Sequence, residues 1–254
     1  MEAKNLTVCR NARLAEHLYL MEFEGAFTPP ALPGQFIHIK IDGLFLRRPF
    51  SVAGQKNNRL AILYKVVGKG TEILARKKGG ETLNAIGPLG KSFPVIKKWK
   101  NVYLAGGGTG IAPLIFLADK LSGEDVKITF FYGAKSRGCI GFEILPAGIN
   151  FVFTTEDGSY GDKGLLDRAV CGFIGKNGRP DVIYGGGPAG LLKKIGRISE
   201  DFSVPAFVSL ENRMACGTGI CYGCVTKIKT GSGWEYMRIC KEGPVFNTKD
   251  IKWD

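Results

Sequence analysis

The chain has 254 residues, 44% of them hydrophobic, and 35 Lys and Arg against 23 Asp and Glu give a formal net charge of +12. That length fits one or two domains with a sizeable core. The charge is spread thinly: its densest run is Lys97-Lys98-Trp99-Lys100, and no helix-like segment carries a basic stripe with interleaved aromatics, so no nucleic-acid partner is expected. The start, Met1 to Thr7, is polar rather than signal-like, and no stretch approaches the roughly 20 apolar residues of a membrane span. The expectation is a soluble, cytoplasmic protein with no membrane partner.

Residues 1–97 read as short strands broken by turns. Leu18 to Phe23 is rich in β-formers, and Pro29, Pro30, Pro33 and Gly34 punctuate the turn after it. Gln35 to Ile41 alternates polar and apolar strictly, which predicts a half-buried strand, and Arg59 to Val67 is another. This spacing predicts an antiparallel barrel. His17 and His38 have no metal-like neighbour in sequence and read as structural.

The pattern changes near residue 101. Asn101 to Ala105 is a short apolar run that meets Gly106-Gly107-Gly108-Thr109-Gly110 and then a helix-like segment, Ile111 to Leu121. Strands are expected at Val126 to Tyr132, Asn150 to Thr154 and Asp181 to Tyr184. The last leads through Gly185-Gly186-Gly187-Pro188 into a helix from Ala189 to about Ser199. Alternating strand, turn and helix predict a doubly wound parallel α/β sheet.

Seven cysteines in an intracellular chain point to ligands or free thiols rather than a disulfide framework. Cys9, Cys139 and Cys171 stand alone and read as small apolar residues. Cys216, Cys221, Cys224 and Cys240 follow the spacing C-x4-C-x2-C-x15-C, which matches a plant-type [2Fe–2S] site. Gly217, Gly219 and Gly223 let the loop curl so that backbone N–H groups turn toward the sulfurs. Structural zinc usually shows two close cysteine pairs, and only one is present. A disulfide would suit a small secreted chain.

Five further stretches carry chemistry. Arg48-Pro49-Phe50-Ser51 offers a guanidinium fork, an aromatic ring and a hydroxyl, and Gly68-Lys69-Gly70-Thr71 offers unhindered N–H groups and a second hydroxyl, a combination suited to a pyrophosphate. Gly106 to Pro113 and Gly185 to Pro188 are glycine-rich turns at strand ends, where open parallel sheets bind nucleotides. Thr155-Glu156-Asp157-Gly158-Ser159-Tyr160-Gly161 falls on the same edge. A plain surface arginine and plain tight turns are the bland alternatives.

Taken in order, these motifs resemble the ferredoxin–NADP reductase superfamily over residues 1 to about 208. The tail, Glu211 to Cys216 and on through Cys240 to Phe246, resembles the electron-transfer subunits of class 1B dihydroorotate dehydrogenases. The resemblance implies an α+β multidomain protein: an FAD-binding β-barrel (1–97), an NAD-binding α/β domain (98–208) and a small C-terminal [2Fe–2S] domain (209–254). It places FAD against Arg48, Pro49, Phe50, Ser51, Leu63, Tyr64, Lys65, Gly70 and Thr71. It places NAD, as substrate, along Gly106, Gly107, Gly108, Thr109, Gly110, Gly186, Gly187 and Pro188, and the cluster on the four cysteines. It implies no catalytic acid or base in this chain. The partner it implies is an FMN-containing catalytic subunit that oxidises dihydroorotate, in a heterotetramer of two copies of each, with electrons expected to leave through the cluster and FAD to NAD+.

The chain departs from the superfamily pattern at three places. Phe50 stands where relatives often have Tyr, Lys65 where they often have Arg, and Gly186 where many have Cys. No carboxylate follows the strand ending at Tyr132 closely enough to hold a ribose 2′-hydroxyl, and Lys135 and Arg137 suit a 2′-phosphate, so the choice of NAD over NADP is open. A diaphorase subunit of a hydrogenase, sulfur reductase or ferredoxin:NADP oxidoreductase is the runner-up, and a zinc-stabilised binding module is the rival of another class.

Overall fold

The computed structural model describes residues 2–253. Strands β1 (Glu2–Ala15), β2 (Leu18–Glu24), β3 (Phe36–Ile39), β4 (Arg48–Lys56) and β5 (Arg59–Lys65) are followed by a short helix α1 (Lys69–Ala75) and β6 (Thr82–Leu89). The strands close into an antiparallel barrel in the order β1-β2-β5-β4-β3-β6. The long β1 makes closure possible. Its first half pairs with β6 (Glu2 opposite Gly87 to Thr7 opposite Thr82), and its second half, bent by register shifts, pairs with β2. Leu6, Met21, Phe23, Ile37, Ile39, Val52 and Ile62 fill the interior.

The expectation of one wet face on β3 is corrected. All four of its residues are buried. Ile37 and Ile39 enter the barrel core, whereas Phe36 joins a second core with Leu89, Cys224 and Cys240, and His38 is fully covered. The face that alternation marks as solvent carries the C-terminal module.

Strand β7 (Asn101–Gly107) leads through a 3-10 turn (Gly108–Ile111) into α2 (Ala112–Leu121). Then come β8 (Lys127–Ala134), β9 (Asn150–Thr155), β10 (Asp162–Lys163), α3 (Leu166–Asn177), β11 (Val182–Gly186), α4 (Ala189–Asp201) and β12 (Ala206–Ser209). A hairpin of β13 (Val225–Thr230) and β14 (Gly233–Arg238) follows, and β15 (Val245–Asn247) returns to pair antiparallel with β12. The large sheet runs β10-β9-β8-β7-β11-β12-β15, parallel except for its last strand. Leu114, Ile115 and Leu117 of α2 pack with Leu104 and Phe130 on one face. Val170 and Ile174 of α3 and Leu192 and Ile195 of α4 pack with Ala105, Phe131 and Ile183 on the other. The sheet is therefore doubly wound, with its order reversing between β7 and β11. No described helix is long and apolar enough to cross a membrane.

The C-terminal module ties barrel to sheet. Lys91 N–H donates to the Gly243 carbonyl at 2.6 Å, and Leu210 N–H donates to the Pro244 carbonyl at 2.8 Å.

Candidate redox-cofactor and nucleotide site

Cys216, Cys221 and Cys224 lie on the loop between β12 and β13, and Cys240 follows β14. Gly217 (φ +70°) and Gly219 (φ +86°) adopt the left-handed backbone that the loop requires. Gly223 does not; Tyr222 takes φ +54° in its place, and Gly223 contributes closeness, since a Cβ there would stand 3.5 Å from the Cys221 sulfur. The inward N–H groups are present. Thr218 and Cys221 each donate to Cys216 Sγ at 3.4 Å, Gly223 to Cys221 Sγ at 3.5 Å, and Cys240 to Cys224 Sγ at 3.4 Å. Burial pushes the Cys216 thiol up, but the N–H donors of Cys221 and Thr218 outweigh it and hold the thiol down at about 5. Cys240, buried and beside Cys224 and Cys216, is pushed up to about 12. The sulfurs are spread in depth, from buried Cys224 and Cys240 to exposed Cys221. Among the described residues no three His, Cys, Asp or Glu side chains gather as they would around a single ion.

His38 has a neighbour the sequence does not reveal. A Cβ on Gly217 would stand 2.4 Å from its Nδ1, so the glycine is what lets the cysteine loop sit against β3. The ring nitrogens face the Cys216 and Arg47 backbones without a well-formed hydrogen bond, and burial holds the imidazole below its ordinary pKa.

Arg238 clamps the loop from the other side. Its guanidinium lies 4.6 Å over the Tyr222 ring, donates to the Gly219 carbonyl at 2.7 Å and pairs with Glu242. The Arg238 side chain holds the Glu242 carboxyl down at about 2. A depressed carboxylate stabilises fully above its ordinary pKa, so the clamp holds from about pH 4.5 upward and weakens only as pH falls toward about 2. Arg238→Gln is expected to speed aerobic bleaching of the cluster by about tenfold, followed by visible absorbance. Unchanged bleaching would remove Arg238 from this role.

A cavity of about 580 Å³ lies beside the barrel, and all the residues expected to hold FAD line it: Arg48, Pro49, Phe50, Ser51, Leu63, Tyr64, Lys65, Gly70 and Thr71. They converge because β4 and β5 are neighbours in the barrel and α1 follows β5 directly. Arg48 Nη1 donates to the Leu46 carbonyl at 2.7 Å, and a Cβ on Gly70 would stand 3.7 Å from Arg48 Nε, so small residues keep the approach to the fork open. Thr71 Oγ1 is committed to the turn: it accepts from Val67 N–H at 2.9 Å and donates to the Gly68 carbonyl at 2.9 Å. Phe50 lacks a hydroxyl, but its neighbour Tyr64, with ring centroids 6.0 Å apart, has one, which donates to Asn11 Oδ1 at 2.8 Å. Burial raises the Tyr64 phenol, so it stays protonated. The opposite wall is formed by Ser209, Leu210, Glu211, Asn212, Met214 and Pro244. Sequence reasoning missed this wall because it comes from the root of the cysteine loop.

A second cavity, of about 670 Å³, lies over the carboxyl ends of the parallel strands. Gly107, Gly108, Thr109, Gly110, Gly187 and Pro188 line it, while Gly106 and Gly186 sit behind the wall. Their smallness serves packing. A Cβ on Gly106 would stand 2.8 Å from Leu114 Cδ1, and one on Gly186 would stand 2.0 Å from the Gly110 carbonyl oxygen. Lys65, Thr109 and Glu211 line both cavities and mark where they meet. Glu211 is exposed at the surface, yet the protein around its carboxyl desolvates it and raises its pKa.

A barrel with a flavin-sized cavity, a nucleotide cavity at a sheet switch point and a thiolate loop backing the junction define a ferredoxin reductase-type electron-transfer flavoprotein. The fold matches a chain of the NADH-dependent reduced ferredoxin-NADP oxidoreductase structure with a TM-score of 0.87 and 29% identity, covering 98% of this chain and 90% of that one. It matches the ferredoxin reductase in carbazole 1,9a-dioxygenase in fold, at a TM-score of 0.70 and 21% identity, over 80% of this chain and 66% of that one. Residues 211–252 match the model of the iron-sulfur cluster binding domain of dihydroorotate dehydrogenase B. The chain is 40% identical, over 96% of both chains, to the dihydroorotate dehydrogenase B (NAD(+)) electron transfer subunit of Caldanaerobacter subterraneus subsp. tengcongensis, and 34% identical, over 97% of both, to that of Enterococcus faecalis. It belongs to the family of dihydroorotate dehydrogenase B electron transfer subunits. The diaphorase subunit of a hydrogenase, sulfur reductase or ferredoxin:NADP oxidoreductase and the zinc-stabilised binding module give way to this family.

Proposed function

We propose that this chain carries electrons between an FMN-containing, dihydroorotate-oxidising partner subunit and NAD+, with FAD in the barrel-side cavity, NAD(H) over the sheet and a [2Fe–2S] cluster on Cys216, Cys221, Cys224 and Cys240. The observation that carries this reading is the shared wall. Ser209 to Asn212 and Met214 line the FAD cavity on a segment that runs straight into Cys216, while Lys65, Thr109 and Glu211 border both cavities. Together the groups supply one-electron chemistry on the partner side and two-electron chemistry on the nicotinamide side.

The chain's own residues bind, position and shield. The Arg48 fork and the Gly70 backbone suit the FAD pyrophosphate, and Phe50 and Tyr64 give the cavity a rigid apolar wall. Gly107 to Gly110 and Gly187 allow the dinucleotide pyrophosphate to approach backbone N–H groups. The partner docks over the cluster loop, where Ile220 is 82% and Tyr222 57% exposed on either side of exposed Cys221. The divisions 1–97, 98–208 and 209–254 are the functional ones: flavin, nucleotide and cluster. The complex is a cytoplasmic heterotetramer of two copies of each subunit.

Co-purification tests this reading. An FMN-containing partner should accompany the chain, and a nickel or multi-cluster protein in its place would contradict the assignment. Arg48→Ala should weaken FAD retention by about tenfold or more, the worth of a charge-assisted fork. Flavin content after gel filtration measures it, and an unchanged content would refute the role of Arg48.

A further inference from the structure

The family uses NAD, yet the strand after which a ribose-binding carboxylate is expected, β8, ends at Ala134 and is followed by Lys135. We propose that Glu156, delivered from the neighbouring strand β9, binds the adenosine ribose 2′-hydroxyl and sets the preference for NAD over NADP. This inference rests on the reading of the cavity over the sheet as the nucleotide site.

Glu156 follows β9 immediately, and its N–H donates to the Ala134 carbonyl at 3.1 Å, which sets it beside the end of β8. It lines the nucleotide cavity together with Gly133, Ala134 and Lys135. A dinucleotide with its nicotinamide at the flavin junction and its pyrophosphate at Gly107 to Gly110 extends its adenosine over this corner. The loop that carries Glu156 is fixed. Thr155 Oγ1 donates to the Tyr160 carbonyl at 2.8 Å and accepts from Tyr160 N–H at 3.0 Å, and Gly161, at φ +66°, would put a Cβ 2.2 Å from the Phe153 carbonyl oxygen.

The other charges nearby have different work. Asp157 accepts from Ser159 N–H at 3.0 Å and from Ser159 Oγ at 2.7 Å, which closes the turn. Asp167 pairs with Lys194 at 3.0 Å, so that lysine is neutralised. Glu16 stands at the barrel side, near Cys139 and His17. Arg137, half of the pair that suits a 2′-phosphate, lies over the Tyr160 ring at 5.6 Å and is not part of the cavity wall. Lys135 remains, and Glu156 is beside it. A carboxylate there accepts a hydrogen bond from a 2′-hydroxyl and repels a 2′-phosphate.

The test uses the intact complex with Glu156→Gln and Glu156→Asp. Binding of ADP-ribose and 2′-phospho-ADP-ribose is measured by calorimetry, and NADH and NADPH are compared as donors to ferricyanide. Wild type should favour the unphosphorylated ligands. Glu156→Gln should narrow that preference by about tenfold or more, through KM rather than kcat, with flavin content unchanged. Glu156→Asp, which keeps the carboxylate, should recover part of it. If wild type binds ADP-ribose but Glu156→Gln keeps the same preference, this inference is overturned alone. If ADP-ribose does not bind wild type at all, the assignment of the nucleotide cavity falls with it.

Discussion

Cys221→Ser is expected to abolish dihydroorotate-dependent NAD+ reduction, by more than about a hundredfold, while NADH oxidation by artificial dyes stays within about twofold of wild type. The asymmetry follows from position. Cys221 is the exposed member of the cysteine set, its sulfur accepts from Gly223 N–H, and its own N–H donates to Cys216 Sγ. Serine offers an alcohol that does not become a soft anionic ligand as a thiol does, so the cluster is lost. Neither cavity is lined by Cys221, so the groups that hold FAD and the nucleotide stay in place. Loss of iron with retention of flavin, followed in the absorption spectrum, separates this outcome from misfolding. Full coupling in the variant would remove Cys221 from the ligand set.

Gly110→Ala should lower NADH oxidation by about a hundredfold with a raised KM and a reduced Tm, leaving bound FAD in place. Here the structure leaves no room. An added methyl would meet the Gly187 nitrogen at 2.1 Å, the Gly187 Cα at 2.3 Å and the Gly186 carbonyl carbon at 2.4 Å. All three are backbone atoms of the turn after β11, so relief requires moving one strand end away from the other. Both turns line the nucleotide cavity, which therefore changes shape. NADH kinetics and a melting curve check the result. Near-normal kinetics would mean that the two turns are not held together as described.

The barrel and the doubly wound sheet were legible because period-two strands and strand–glycine–helix units leave local signals. The four cysteines and the motifs beginning at Arg48 and Gly106 were legible because their chemistry is local too. What escaped depended on distant packing. Helix α3 contains Gly172 and Gly175, which dilute its helical signal, although Leu166, Val170 and Ile174 form its buried stripe. The alternation in β3 was real, but its polar face is covered by a loop about 180 residues later in the chain, and that loop brings His38 against Gly217. The wall from Ser209 to Met214 and the clamp by Arg238 are likewise contacts between segments remote in sequence. Glu156 is the sharpest case. The sequence places the stretch from Thr155 to Gly161 on the right edge, but no carboxylate follows β8 closely, and only the sheet shows that Glu156, after the adjacent strand, reaches that corner.

The most direct test of the central claim is NAD+ reduction by dihydroorotate, measured anaerobically with the purified catalytic partner alone and again after adding this chain. The partner alone should oxidise dihydroorotate with artificial acceptors but fail to reduce NAD+. The added chain, carrying iron and FAD, should restore that reduction. Equal NAD+ reduction without this chain would contradict that claim.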